Sequence, residues 1–142
     1  MYSSLVVEWK RERGWLAMKS ILILLSGVLC VGGGLLHGSG FWVIHREFAK
    51  TGATGELAEI VDLAWVFMSM GFLTFGAILI TCGLQMRRKN YGGRAFAGWA
   101  AASLTLFSGW AMIRFGFNWH FLYFLIVGVL AGYACVPDKQ TA

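Results

Sequence analysis

The sequence predicts an all-α membrane protein, with four transmembrane helices in an antiparallel bundle and both termini in the cytoplasm. One observation is composition: of 142 residues, 58% are hydrophobic and 13% are charged. Soluble domains are roughly 45–50% apolar and about 25% charged. The other observation is four continuous apolar stretches, each long enough to cross about 30 Å of hydrocarbon as a helix. We therefore interpret residues 1–142 as a single transmembrane domain.

The predicted spans cover approximately residues 20–36, 60–84, 95–113 and 119–136. Their apolar residues are continuous rather than alternating, which favours helices over the strands of a barrel. Intrinsic disorder is excluded, because it requires low hydrophobicity and high charge. Between the first two spans, the run FWVI followed by HRE predicts a short amphipathic helix in the membrane interface.

The distribution of lysine and arginine predicts the orientation of the chain. Nine basic residues lie on one side of the predicted spans: Lys10, Arg11, Arg13, Lys19, Arg87, Arg88, Lys89, Arg94 and Lys139. Three lie on the other side: Arg46, Lys50 and Arg114. Because cytoplasmic loops carry the excess of positive charge, both termini are predicted to be cytoplasmic, in a plasma (inner) membrane. The basic residues do not form one patch with interleaved aromatics, so no nucleic-acid partner is expected.

Small residues recur at helical spacing in every predicted span. They are Ser26, Cys30, Gly34 and Gly38; Ser69, Gly76 and Gly83; Gly98, Ala102, Thr105 and Gly109; and Gly128 and Gly132. Such spacing lets transmembrane helices approach closely, so we expect helix packing within one chain. Homodimerisation through Gly128 and Gly132 is the alternative. The three cysteines are single, without any Cys-x-x-Cys pair, and no redox or zinc motif is present.

Ionisable residues are missing from the span centres and collect at their predicted outer ends, which argues against a proton relay through the membrane. The candidate site residues are His37, Glu59, Asp62, Arg114 and His120. Helical spacing aligns His37, Asp62 and His120 with the small-residue stripes, so we expect them to converge on a cavity below the outer surface. Arg114 fits its stripe less well. The alternatives are a solvated rim of polar helix ends, or an internal Asp62–Arg114 ion pair.

The leading functional hypothesis is an accessory or scaffolding protein, or one that binds a lipid or other lipophilic ligand at this outer polar cavity. Its partners would be the lipid bilayer and such a ligand, and further copies of the chain or a larger membrane complex. It rests on the absence of any specific catalytic motif in a length almost consumed by four spans.

Two further hypotheses use the same residues. In an intramembrane enzyme acting on a lipophilic substrate, Asp62 or Glu59 would exchange protons together with His37 or His120. Arg114 would then stabilise developing negative charge. In a haem- or metal-binding bundle, His37 and His120 would be ligands, joined by His45 or Asp62. The sequence identifies no cofactor, and no His-x-x-x-His pair supports a metal.

Overall fold

The computed structural model describes residues 2–52 and 55–137, with side chains described from residue 14 onward. These residues form five α-helices and no strand: α1 (Tyr2–Ser39), α2 (Phe41–Lys50), α3 (Glu56–Arg87), α4 (Arg94–Phe115) and α5 (Trp119–Cys135). The helices cover the first three predicted spans fully and the fourth except for its last residue, Val136. They extend beyond the first three at both ends, most of all in α1.

Three helical segments are long and apolar enough to cross a membrane: Gly14–Lys50, Glu56–Arg87 and Arg94–Phe115. In the most apolar 18-residue stretch of each segment, only 39%, 22% and 33%, respectively, is buried inside the protein. Apolar surface left uncovered on this scale is not typical of a soluble monomer. The predicted all-helical class is thus confirmed, and three helices fit a membrane bundle. A fourth crossing by the 17-residue α5 and the cytoplasmic position of both termini stay predictions.

The four long helices pack side by side, with antiparallel neighbours. Helix α1 packs against α3 and α5, and α4 packs against α5 and, less extensively, α3. We call the end that carries His37, His45 and His120 the histidine end. The opposite end, which carries Lys19 and Arg94, is called the basic end.

Glycines hold α1 and α3 together over most of their shared length. A Cβ atom on Gly76 would lie 2.6 Å from Val31 Cγ2 and 2.9 Å from the carbonyl oxygen of Gly27. A Cβ on Gly83 would lie 2.6 Å from Leu24 Cγ. The backbones approach so closely that these positions accept no side chain, which is the packing role expected of small residues in membrane helices.

The seam between α4 and α5 is built similarly at one point only. A Cβ on Gly128 would lie 2.6 Å from Thr105 Oγ1 and 3.0 Å from the carbonyl oxygen of Ala101. Gly109 has no atom within 4 Å of its Cβ position, so the small stripe of α4 leaves the seam there. Gly128 therefore packs within the chain, and homodimerisation through this helix stays a prediction.

Two turns position the histidine end. Between α1 and α2, the Gly40 amide donates to the carbonyls of Leu36 and His37 before the chain turns into α2. Between α4 and α5, Gly116 adopts φ 84°, a value that disfavours residues with a Cβ. The Asn118 side chain then accepts a hydrogen bond from the His120 amide at 2.8 Å, which caps α5. His120 is thereby placed in the first turn of α5.

Candidate functional site

His37 lies near the end of α1 and is held by two residues of α3. The residue is 8% exposed. Its Nδ1 atom lies 2.9 Å from Ser69 Oγ, and its ring stacks on Trp65 with centroids 3.9 Å apart and planes 17° apart. Trp65 Nε1 also donates to the His37 carbonyl oxygen at 2.7 Å. Both the backbone and the ring of His37 are therefore oriented by α3.

The hydrogen bonds of Ser69 determine which nitrogen of His37 carries the proton. A serine hydroxyl has one hydrogen to donate. Ser69 donates it to the carbonyl oxygen of Trp65 at 2.9 Å, so its oxygen must accept from the imidazole. His37 is then protonated at Nδ1, and in the neutral ring Nε2 carries the lone pair. No described group forms a hydrogen bond with Nε2.

His120 approaches His37 from α5. The two ring centroids are 5.2 Å apart, and their planes are tilted by 34°. His120 also meets Phe124 edge-on at 5.1 Å, and Phe124 stacks on Phe72 at 3.7 Å. We call His37 and His120 the imidazole pair; the stacked phenylalanines lie one helical turn further into the bundle. The two histidines therefore meet each other as expected, but neither of them lines either of the grooves described below.

The other candidate residues lie outside the imidazole pair. Asp62 Oδ2 is 2.7 Å from His45 Nδ1, because α2 brings His45 to the start of α3. Glu59 is exposed. Arg114 is also exposed, with its guanidinium 5.6 Å from the centre of the Phe115 ring. Among the described side chains Asp62 therefore pairs with His45, and the alternative Asp62–Arg114 ion pair is not formed.

The His45–Asp62 pair has a geometry that acid–base chemistry uses. A carboxylate bonded to Nδ1 orients an imidazole and leaves Nε2 free for proton transfer. The two side chains are 49% and 23% exposed, so the pair is open to solvent. An enzyme built on these residues would thus use His45 with Asp62, rather than His37 or His120. The enzyme hypothesis stays a prediction.

A groove of about 450 Å³ lies between α1, α2 and α3 at the histidine end. Gly34 and Gly38 form its α1 wall, and Met70 and Leu73 form part of its α3 wall. Ser39 and Ser69 are the hydroxyl-bearing residues of a lining that otherwise consists of glycine, aliphatic, methionine and aromatic residues. Trp65 and Ser69 line the groove and also bind His37, so they connect it to the imidazole pair.

A second groove, of about 560 Å³, follows the seam of α4 and α5. Its lining consists largely of glycine, alanine and aliphatic residues. Thr105 contributes a hydroxyl that already donates to the carbonyl oxygen of Ala101. The Ser39 and Ser69 hydroxyls of the first groove likewise donate to carbonyl oxygens, those of Leu36 and Trp65, so both grooves offer a ligand a mainly apolar shape.

Comparison with known protein families, with curated proteins and with solved structures yields no match. The site must therefore be interpreted from its own residues. The sequence reasoning missed Trp65 entirely and treated Ser69 only as a packing residue. The signal for Ser69 was available, since it lies on the small-residue stripe of α3, but its hydrogen bond to His37 depends on the register of α1 against α3.

Proposed function

We propose that this chain is a multi-pass membrane protein that crosses the bilayer four times and binds a lipid acyl chain in the groove at its histidine end. In this proposal both termini are cytoplasmic and the histidine end faces outward. The groove between α1, α2 and α3 is the single observation that carries the proposal.

The shape and lining of the groove support an acyl chain as its occupant. Its volume of about 450 Å³ is within the usual range of ligand sites, about 300–1,000 Å³. The residues at its mouth are apolar and face outward, with Leu35 60% and Met70 57% exposed. Both belong to helices that fit a membrane, so the groove opens where hydrocarbon chains would lie.

Helix α2 supports the placement of a lipid headgroup above the groove. It has no buried residue, and its Trp42 side lines the groove. Its exposed polar side chains include Arg46, whose Nε donates only to the Trp42 carbonyl oxygen. An amphipathic helix of this kind lies at the boundary between headgroups and acyl chains. Lys50 on the same helix pairs with Glu47, so Arg46 is the cation that α2 offers to a headgroup beside the apolar groove.

A photoreactive lipid tests the binding site directly. The protein is reconstituted with phosphatidylethanolamine that carries a diazirine in one acyl chain, irradiated, digested and mapped by mass spectrometry. We expect labels concentrated on Leu35, Trp65 and Met70. Equal labelling of Leu63, Leu106 and Ile113, which are exposed but do not line the groove, would contradict the proposal.

A filled groove provides the matched variant. Met70→Trp places an indole at the mouth, and we expect labelling of Leu35 to fall at least fivefold. The control is Leu63→Trp, on the same helix at a position that is 71% exposed and outside the groove. Unchanged labelling of Leu35 in Met70→Trp, or an equal loss in the control, would argue against a specific site.

The four crossings are tested with single cysteines in a variant that lacks the native ones. Thr51→Cys and Asn118→Cys lie at the histidine end, and Lys89→Cys and Val136→Cys lie at the opposite end. We expect a membrane-impermeant maleimide to label the first two in intact spheroplasts and the other two only after lysis. Labelling of both Asn118→Cys and Val136→Cys before lysis would show that α5 does not cross, and labelling of Lys89→Cys and Val136→Cys alone would show the opposite orientation.

A further inference from the structure

The imidazole pair is not part of the groove. Neither His37 nor His120 lines it, and the pair lies on the side of Trp65 and Ser69 that faces α5. Lipid binding therefore leaves the pair without a role. Ser69 sets the tautomer of His37, and the Nε2 atom of that ring has no described hydrogen-bond partner, so its lone pair is available to a ligand.

We propose that His37 and His120 bind one late first-row transition-metal ion, of the class of Zn²⁺ or Cu⁺, at the histidine end. His37 contributes Nε2, the nitrogen that the Ser69 hydrogen bond leaves with its lone pair. Metal-binding histidines usually donate their other ring N–H to a neighbouring acceptor, which fixes both tautomer and orientation. Ser69 is that acceptor here.

The separation of the rings fits adjacent positions on one ion. Imidazole nitrogens bind zinc at about 2.0–2.1 Å, so two rings at tetrahedral positions have centres about 5 Å apart. The observed separation is 5.2 Å. Axial ligands on opposite sides of a haem iron would be about 6 Å apart, with a flat macrocycle between them. A single ion therefore fits the pair better than haem.

The donor atoms of the pair select the class of metal. Asp62, a nearby carboxylate of α3, is bound to His45, so the pair offers nitrogen donors alone. Imidazole suits zinc and copper, whereas magnesium and calcium require oxygen ligands. Within the described residues no group of three or more histidine, cysteine, aspartate or glutamate side chains could hold a metal. Water or a lipid oxygen would complete the coordination, so we expect micromolar rather than tighter affinity.

Calorimetric titration tests the proposal on the full chain in mild detergent, carrying an affinity tag without histidine. After treatment with a chelator, the protein is titrated with ZnCl₂, and with MgCl₂ as a metal control. We expect one Zn²⁺ per chain with a micromolar Kd, and no heat from Mg²⁺. His37→Gln and His120→Gln should each weaken Zn²⁺ binding at least tenfold. Since His120 is exposed, its substitution leaves folding intact.

Two variants separate this site from its surroundings. His45→Gln removes the third histidine of the same end, and its Kd should stay within twofold of the wild type. Ser69→Ala removes the acceptor that holds Nδ1, and we expect about tenfold weaker binding, the usual effect of losing such an outer partner. In ¹⁵N-labelled protein, the fixed Nδ1–H tautomer of His37 should also be lost in Ser69→Ala.

The proposal is overturned by any of three results. The first is that the wild type binds no Zn²⁺ at about 100 µM, and the second is that binding persists in both His37→Gln and His120→Gln. The third is that His45→Gln loses as much Zn²⁺ affinity as His37→Gln does. The last result would assign the metal to the His45–Asp62 pair. These three results leave the lipid-labelling test independent, because they concern His37, His120 and His45, and none of these residues lines the groove.

Discussion

The two ends of the bundle use their polar side chains in opposite ways. At the basic end, Lys19 Nζ and Arg94 Nη2 both donate to the carbonyl oxygen of Val136, at 2.9 and 3.1 Å. Cations at the C-terminus of a helix also interact favourably with its dipole, so α5 is anchored there to α1 and α4. At the histidine end, the imidazoles of His37 and His120 meet between α1 and α5, and the Nε2 atom of His37 has no described hydrogen-bond partner.

This difference indicates where ligands can bind. At the basic end, the buried Lys19 and the partly buried Arg94 contact the backbone oxygen of Val136, the residue that follows α5, so their charge contributes to structure. At the histidine end, the Nε2 atom of His37 and the groove beside Ser69 are not used by the fold. The contacts that anchor α5 and the proposed binding sites thus lie at opposite ends of the same helices.

The largest expected effect comes from disrupting the close packing of α1 against α3, the two helices that run between the two ends. In Gly76→Leu, the new Cβ would lie 2.9 Å from backbone oxygen of Gly27, which cannot move aside as a side chain can. We expect a loss of about 3 kcal/mol or more, at or above the top of the usual range for overpacking. Thermal unfolding in mild detergent, followed by circular dichroism, measures this loss.

The matched control for Gly76→Leu is Gly71→Leu on the same helix, where no atom lies within 4 Å of the Cβ position. It should unfold at or slightly above the wild-type temperature, because leucine favours helix more than glycine does. Equal destabilisation by both variants would show that α1 and α3 are less closely packed than the glycine contacts indicate.

An intermediate effect is expected at the basic end from Lys19→Met. The side chain is 3% exposed, and its ammonium group donates to Val136 at 2.9 Å. Hydrogen bonds to charged groups contribute about 1.5–3 kcal/mol, and we expect a loss of free energy of unfolding in this range. Zn²⁺ affinity at the other end should not change. Arg88→Met, at an exposed position, is the control and should be neutral. A neutral Lys19→Met would mean that Arg94 alone anchors α5.

The smallest effect is expected for Asp62→Asn at the histidine end. The pair with His45 is 49% and 23% exposed, and ion pairs open to solvent contribute up to about 1 kcal/mol. We expect a loss below that value, with lipid labelling of the groove unchanged. Glu59→Gln, one turn earlier and exposed, should have no effect on unfolding. A loss of more than about 2 kcal/mol in Asp62→Asn would show that the pair holds α2 onto α3.

Part of the candidate site follows from local pattern. His37 and His120 could be predicted to meet because each lies on the small-residue face of its helix, and packed small faces bring such residues together. Asp62 lies on a comparable face but binds His45, because the turn at Gly40 folds α2 toward the start of α3. Helical spacing predicts which residues share a face of one helix, but it does not predict where a neighbouring segment such as α2 lies.

The sequence by itself determined the helical class, the apolar spans and the collection of histidines near one set of helix ends, because these depend on composition and on a period of 3.6 residues. Only the tertiary structure decided which groups bind one another. The Ser69 hydroxyl orients His37, His45 takes Asp62, and two cations share the Val136 carbonyl oxygen. Each of these contacts joins residues from different helices at distances of 3.1 Å or less. Such distances depend on the register between helices. A shift of one residue along either helix moves its side chains by about 1.5 Å along the helix axis, which is enough to break these contacts.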